Sequence, residues 1–447
     1  MAFSHAYHKK GLLLLVTITV AAVLSSSCQI HWSSVFSALQ LSDGGSTTAS
    51  TSSKRSSTVS LSPANATRFY YGTRGSQTVL SGSSSEYKED ALLGIKPRAF
   101  DKWPISENPL PCFVDDESAQ ETREGFMYLK PYKTGSSTSA GIQLRIARNV
   151  ARRKMGLSLP RDTSDSPGPQ LPQHQLETVR CRADFDHGPW GPFAGHKMYS
   201  QRIKGKSFLW SIIREPTDRV ISMFFHMPVS RHNIEPTDRN FKHFILEEQV
   251  HLKHDYYLNT LSMKTFPYPA KDSSTRRDVA NQILQDYDFI GVTERMEESA
   301  VALAMLLGLP LADVLYLAVK VHGGYDNGGY NETCVLIKPS FVSDGMRDFF
   351  SSAEWQERVK YDRALHNAAH LSLDMTIARL GREDFAEKHS RFKQAVTVAR
   401  ERCQPNTIFS CTKDGRPIPI EKTDCIWGDA GCNFACLDEV STEFGLW

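Results

Sequence analysis

The chain has 447 residues, 40% of them apolar and 23% charged, so it can build a globular core and is not disordered as a whole. Its 52 Lys and Arg against 50 Asp and Glu leave a formal charge of +2, which excludes a general electrostatic binder of nucleic acid and confines any anion site to local residues. With flanking segments set aside, the length leaves room for one domain of ~250–300 residues.

At the N-terminus His8, Lys9 and Lys10 precede an apolar run over residues 11–24, followed by three serines and Cys28. Extended to Ile30, this segment reaches the ~20 residues that span a bilayer. Residues 11–30 are therefore expected to form a signal anchor, with a cleaved signal peptide as the alternative, and residues 1–10 a short cytosolic tail. The basic flank on the N-terminal side sends the remainder into the lumen in either case. Ser, Thr and Gly dominate residues 41–87, and a flexible stalk is expected over residues 31–99. The folded domain is expected over residues 100–395 and a Cys-rich extension over residues 396–447.

Beyond Cys28 there are eight cysteines: Cys112, Cys181, Cys334, Cys403, Cys411, Cys425, Cys432 and Cys436. An even number in a lumenal chain points to disulfides. The five in the tail contain no C-x-x-C pair, so a structural zinc site is the poorer reading of them. The sequons at Asn65 and Asn331 are compatible with the same compartment.

Within the expected domain, residues 125–130 (Gly-Phe-Met-Tyr-Leu-Lys) read as a buried strand. Residues 140–154 have helical spacing, with Ile142, Ile146 and Val150 on one face and Arg145, Arg148, Arg152 and Arg153 around the other. Residues 157–172, rich in Pro, Asp and Ser, read as a surface loop. A second strand is expected over residues 207–213, followed by a helix near 217–225, and a third over 287–292, followed by an apolar helix over 296–307. Repeated strand-then-helix order predicts an α/β fold: a P-loop-like parallel sheet with helices on both faces. Ligands of such sheets bind beyond the carboxyl ends of the strands.

Two loops at those ends carry the chemistry. After the first strand come Pro131, Tyr132, Lys133, Thr134, Gly135, Ser136, Ser137, Thr138 and Ser139. Gly135 lets the backbone approach a ligand, while successive N–H groups, hydroxyls and a helix N-terminus favour phosphate oxygens, and Lys133 adds a full charge. A Ser-rich turn that only caps a helix is the plainer reading of the same residues. After the second strand come Arg214, Glu215, Pro216, Thr217, Asp218, Arg219, Val220, Ile221 and Ser222. A guanidinium at the strand end and a hydroxyl two turns along the next helix suit a second phosphate. An Arg paired with Glu215 or Asp218 is the plainer reading here.

With both loops present, the chain resembles the PAPS-dependent sulfotransferases, in particular the Golgi carbohydrate class that includes galactose 3-O-sulfotransferases and heparan sulfate 2-O-sulfotransferase. The family's first loop, P-K-T-G/A-S-T-S, holds the 5′-phosphosulfate of PAPS (3′-phosphoadenosine 5′-phosphosulfate), and its second, R-E/D-P-x-x-R-x-x-S, holds the 3′-phosphate. The resemblance assigns Lys133, Thr134, Gly135, Ser136, Ser137 and Thr138 to the first role and Arg214 and Ser222 to the second. Residues 289–295, with Glu298, Ser299 and 313–316 beyond, resemble the corresponding part of the galactose enzymes, so the likeness covers about residues 125–316. Tyr132 between Pro131 and Lys133, and one additional serine, depart from the family pattern.

The resemblance implies sulfuryl transfer from PAPS to a glycan hydroxyl on a glycolipid, glycoprotein or polysaccharide, in the Golgi lumen, with no metal and no nucleic acid required. Lys133 would stabilise the departing phosphate, and His187 is the expected base, by placement similar to a histidine of the heparan sulfate enzyme; Asp184 or Asp186 would orient it. His196 and His226 are the competing histidines, and Arg182 and Lys197 are candidates to meet an anionic acceptor. A nucleotide-dependent kinase of the same fold class is the rival enzyme, but a G-x-x-x-x-G-K-[ST] loop after a strand is absent. A catalytically inactive glycan-binding relative is the non-enzymatic rival.

Overall fold

Three of the chain's strands are short, mostly apolar runs, and a fourth alternates apolar and acidic residues. In a computed structural model, which describes residues 92–112, 123–156, 181–188, 192–247, 254–267, 272–319, 324–326 and 333–447, they form one parallel sheet. These are β1 (Gly125–Leu129), β2 (Ala183–Asp186), β3 (Ser207–Ile213) and β4 (Phe289–Val292), in the order β2-β1-β3-β4. Every residue of β1, β3 and β4 is buried, as expected of strands covered on both faces. The register pairs Leu129 with both Asp186 and Ser211, and Ile213 with Val292, so all four strands end at one edge.

The sheet is flanked by helices. In chain order they are α1 (Ser136–Lys154), α2 (Ala194–Tyr199), α3 (Pro216–Phe224), α4 (Asp238–Leu246), α5 (Tyr256–Leu261), α6 (Ser273–Asp286), α7 (Met296–Leu307), α8 (Asp344–Ser351), α9 (Ala353–Leu380), α10 (Arg382–Val398) and α11 (Phe434–Glu443). Two short antiparallel pairs lie outside the main sheet: β5 (Tyr325–Asp326) with β6 (Val335–Leu336), and β7 (Cys425–Trp427) with β8 (Ala430–Cys432). The architecture is thus mixed α/β in a single domain. The three expected strand-then-helix pairs are present, as β1 with α1, β3 with α3 and β4 with α7, except that α1 begins at Ser136, four residues earlier than its apolar spacing indicates; the other eight helices had no predicted counterpart.

Two boundaries differ from expectation. Ile95 and Phe100 are already in the core, and Arg98 donates to the carbonyls of Leu284 (2.7 Å) and Tyr287 (2.8 Å), so packing starts before residue 100. At the other end, α10 runs through residue 396, and the tail beyond it joins the main core. Arg145 and Arg148 of α1 are 0% and 4% exposed, not a solvated basic face. Asp438 of α11 lies 2.7 Å from Arg145 and 2.8 Å from Arg148, and Asp313 accepts from Asn149 (3.0 Å) and Arg153. Burial works against the charge of Asp438, but the two guanidiniums outweigh it and hold its pKa below the usual carboxylate value.

All eight cysteines among the described residues pair, Cys112–Cys181, Cys334–Cys411, Cys403–Cys436 and Cys425–Cys432, which leaves none of the tail thiols for a metal. Among the described residues no helix is long and apolar enough to cross a membrane; residues 11–30, the stalk up to residue 91 and the surface loop over 157–172 lie outside them.

Candidate active site

The first loop turns sharply. Lys133 and Gly135 both have φ in the left-handed region, at 64° and 73°. For a lysine that conformation costs about 1 kcal/mol or more, so the surrounding contacts must hold it. At Gly135 a Cβ would come within 2.9 Å of the Met296 methyl group, so glycine suits both the backbone and the space. Gly135 also stands at the N-cap of α1, which leaves that end with no side-chain cap and no acidic residue in the first turn. The first N–H groups of a 19-residue helix, with the buried Ser136, Ser137 and Thr138, are therefore available to an anion. Thr134 does not add a hydroxyl to this set. It is fully buried, and its Oγ1 donates to Pro131 O at 3.0 Å, closing the turn.

The second loop leaves β3, the direct neighbour of β1. Glu215 caps α3 by accepting from Asp218 N at 2.8 Å, with Pro216 in the first turn. The Arg214 guanidinium is 3.9 Å from Asp218, at the outer limit of an ion pair, and its side chain is 17% exposed. Asp218, half exposed, is drawn upward in pKa first by burial, with Arg214 opposing. Glu215 is engaged elsewhere, 3.5 Å from Arg363. Ser222 is half-buried on α3.

Three side chains that sequence reasoning assigned no role tie the loops together. Thr293, the first residue after β4, has its Oγ1 2.7 Å from Thr134 O and 3.0 Å from Ile213 O, so a single hydroxyl spans the ends of β1 and β3. Adjacent tyrosines on α5 hold one loop each. Tyr256 Oη accepts from Tyr132 N at 2.7 Å, while Tyr257 Oη accepts from Arg214 N (2.9 Å) and donates to Arg214 O (2.5 Å). Burial pushes both phenols up in pKa, so they remain neutral hydrogen-bonding groups. Their own N–H groups donate to one carboxylate, Asp362 of α9, at 2.7 and 2.9 Å, and the buried Arg219 guanidinium lies 3.7 Å from the centre of the Tyr256 ring. Of these residues only Thr293 had a readable signal, its place one position beyond a strand.

His187 stands at the end of β2, beside the first loop. Its ring stacks on Tyr132 with centroids 4.0 Å apart and planes 1° from parallel, and its Nδ1 lies 2.5 Å from Lys130 O. A carbonyl can only accept, so Nδ1 carries a proton, and in the neutral ring Nε2 then holds the lone pair, the tautomer a general base requires. Tyr132 thus connects Tyr256, the loop and His187. The competing histidines contact other elements: His196 Nδ1 is 2.9 Å from Met263 O, and His226 lies 3.7 Å from Asp326. Asp186 accepts from the His187 backbone N–H at 2.6 Å. Lys197 is exposed and Arg182 is half-buried at the start of β2.

The C-terminal hairpin adds a neighbour that the strand pattern did not announce. Trp427, 56% exposed, packs edge-on against Phe185 at 5.2 Å, and Lys130 Nζ lies 5.4 Å from its ring centre. At the other side of the site Glu294 accepts from Glu215 N at 2.8 Å and lies 3.2 Å from His366 Nε2. Burial opposes its charge, but His366 and the Glu215 N–H prevail and lower its pKa. Two anion-suited loops on adjacent strands and a histidine in base-competent form therefore share one sheet edge. Compared with known proteins, the chain matches no protein-family model and no curated protein.

Proposed function

We propose that this chain is a lumen-facing sulfotransferase that moves a sulfuryl group from PAPS to a glycan hydroxyl, with the sulfotransferase variant of the P-loop-like fold and a Golgi-membrane anchor at residues 11–30. The observation that carries the reading is the Thr293 tie between the β1 and β3 loops, because a donor with phosphates at both its 5′ and 3′ positions needs two anion pockets at a fixed spacing. Backbone N–H groups from Gly135 to Thr138, with Lys133, would hold the 5′ end, and Arg214 with Ser222 the 3′-phosphate. PAPS supplies an activated sulfuryl group on a phosphate leaving group.

The protein's part is positioning and charge. Lys133 and the loop amides stabilise negative charge that develops on the leaving oxygen. His187 Nε2 takes the acceptor hydroxyl proton, with Nδ1 fixed by Lys130 O and the ring held against Tyr132. Trp427, open to solvent beside this corner, suits a sugar face.

The test is transfer from radiolabelled PAPS to a panel of glycans by purified protein. Wild type yields sulfated product; Lys133→Ala abolishes transfer; Arg214→Ala chiefly raises KM for the donor; His187→Ala lowers kcat while His196→Ala does not. Failure of the protein to bind 3′,5′-ADP, the desulfated donor product, would sink the proposal.

A further inference from the structure

Beside the second loop, Glu294 shares a corner with two histidines. His366 and His370 are one turn apart on α9 and so lie on one face of it. Their rings meet edge-to-face with centroids 4.6 Å apart. Glu294, just past β4, stands opposite them, with Oε2 3.2 Å from His366 Nε2. One potential ligand atom from each of the three residues falls within 4.8 Å of the others. Two ligands on a tetrahedral zinc ion, each at ~2.0–2.1 Å, are about 3.3 Å apart. The Glu294–His366 edge already has that spacing, and side-chain torsion of His370 completes the set. The corner is also shielded without being sealed: His366 is 6% exposed, His370 is half-buried, and the Glu294 side chain is 34% exposed. The nearby Arg295 is neutralised by Glu298 and by Asp374 at 2.7 Å.

We propose that Glu294, His366 and His370 form a binding site for a zinc-class divalent cation, with water completing four-coordination. Two imidazoles and a carboxylate are the donor set of a borderline cation, and three protein ligands leave one position open. The site lies outside the proposed sulfuryl-transfer step. Its effect is mechanical: Glu294 Oε1 accepts from Glu215 N at 2.8 Å, so fixing Oε2 on a metal also fixes the loop that bears Arg214. This coupling rests on the reading of that loop as a phosphate pocket; the metal site itself does not.

The experiment strips the purified protein with a chelator and titrates it with Co²⁺, following visible absorption, then competes with Zn²⁺, in wild type, His370→Ala and Glu294→Gln. Saturation at one equivalent is expected, with no thiolate-to-metal band because the eight cysteines are paired. Binding at least tenfold weaker in both variants is expected, with circular dichroism of the metal-free His370→Ala protein unchanged. A second arm measures 3′,5′-ADP affinity with and without Zn²⁺, and several-fold tightening is expected in wild type and none in His370→Ala. No cobalt binding, or binding indifferent to both substitutions, overturns the site, and an unchanged nucleotide affinity overturns the coupling. Metal bound as described with no nucleotide bound under either condition overturns the sulfotransferase reading and leaves the metal site standing.

Discussion

Thr293→Val is the most direct probe of the proposed donor site, because it removes one hydroxyl and keeps the side-chain shape. In the wild type that hydroxyl lies 2.7 Å from Thr134 O and 3.0 Å from Ile213 O, and both of those residues are fully buried. Its loss removes a net ~0.5–1.5 kcal/mol of hydrogen bonding and exposes a buried carbonyl to a desolvation cost of ~1–3 kcal/mol. A total stability loss of about 2–3 kcal/mol follows, equivalent to a Tm lower by roughly 3–5 °C in a domain of this size. If the tie fixes the spacing of the two pockets, 3′,5′-ADP binding also suffers, and a loosening of about 1.4 kcal/mol reads as a tenfold higher Kd. Calorimetric titration and thermal melts of wild type, Thr293→Val and Thr293→Ser separate the two effects, since serine keeps the hydroxyl. A valine variant that melts and binds like wild type would show that the tie is incidental.

Asp438→Asn leaves Arg145 and Arg148 buried without their carboxylate, and a loss of about 3–5 kcal/mol in urea unfolding is expected; a loss under 1 kcal/mol would mean the pair is dispensable. Because the Asp438 pKa is lowered in the folded state, its contribution is present above the ordinary carboxylate pKa and fades as pH falls through the depressed one. Asp362 has the opposite sign: burial first, then Asp255, raise its pKa from 3.8 to about 7 against the pull of Arg219 and two N–H groups. The folded state therefore holds that proton more tightly, and stability declines as pH rises from about 4 to about 7, by ~4 kcal/mol in all at ~1.4 kcal/mol per unit. Asp362→Asn should flatten this segment of the stability–pH curve, and an identical slope in wild type and variant would refute the assignment. Trp427→Ala should raise the acceptor KM roughly fivefold, about 1 kcal/mol, at unchanged donor KM; a matching rise in donor KM would place Trp427 in the wrong subsite.

The strands were legible because β1, β3 and β4 are buried on both faces, which forces apolar runs such as Phe126–Leu129. The two loops were legible because their position after a strand follows from the chain order alone. What the linear pattern could not carry is the set of long-range polar contacts. Arg145 and Arg148 occupy the non-apolar side of a helical repeat and look solvated until Asp438 arrives to face them. Tyr256 and Tyr257 look like core aromatics, since only their hydroxyls reach the loops. The Thr134 hydroxyl suits an anion by composition, which cannot reveal that it bonds three residues back. The different surroundings of His187 and His196 were likewise invisible, because they depend on which carbonyl each ring meets.

The docking of α11 on α1 also bears on synthesis. Arg148 meets a partner 290 residues further along the chain, a contact of very high sequence separation. While the chain emerges from the ribosome, α1 must keep two guanidiniums hydrated, and it can sink into place only after residue 438 has been made. Completion of the core around α1 is thus timed to the last part of synthesis, and nascent chains arrested before that point would present an open, basic helix to chaperones.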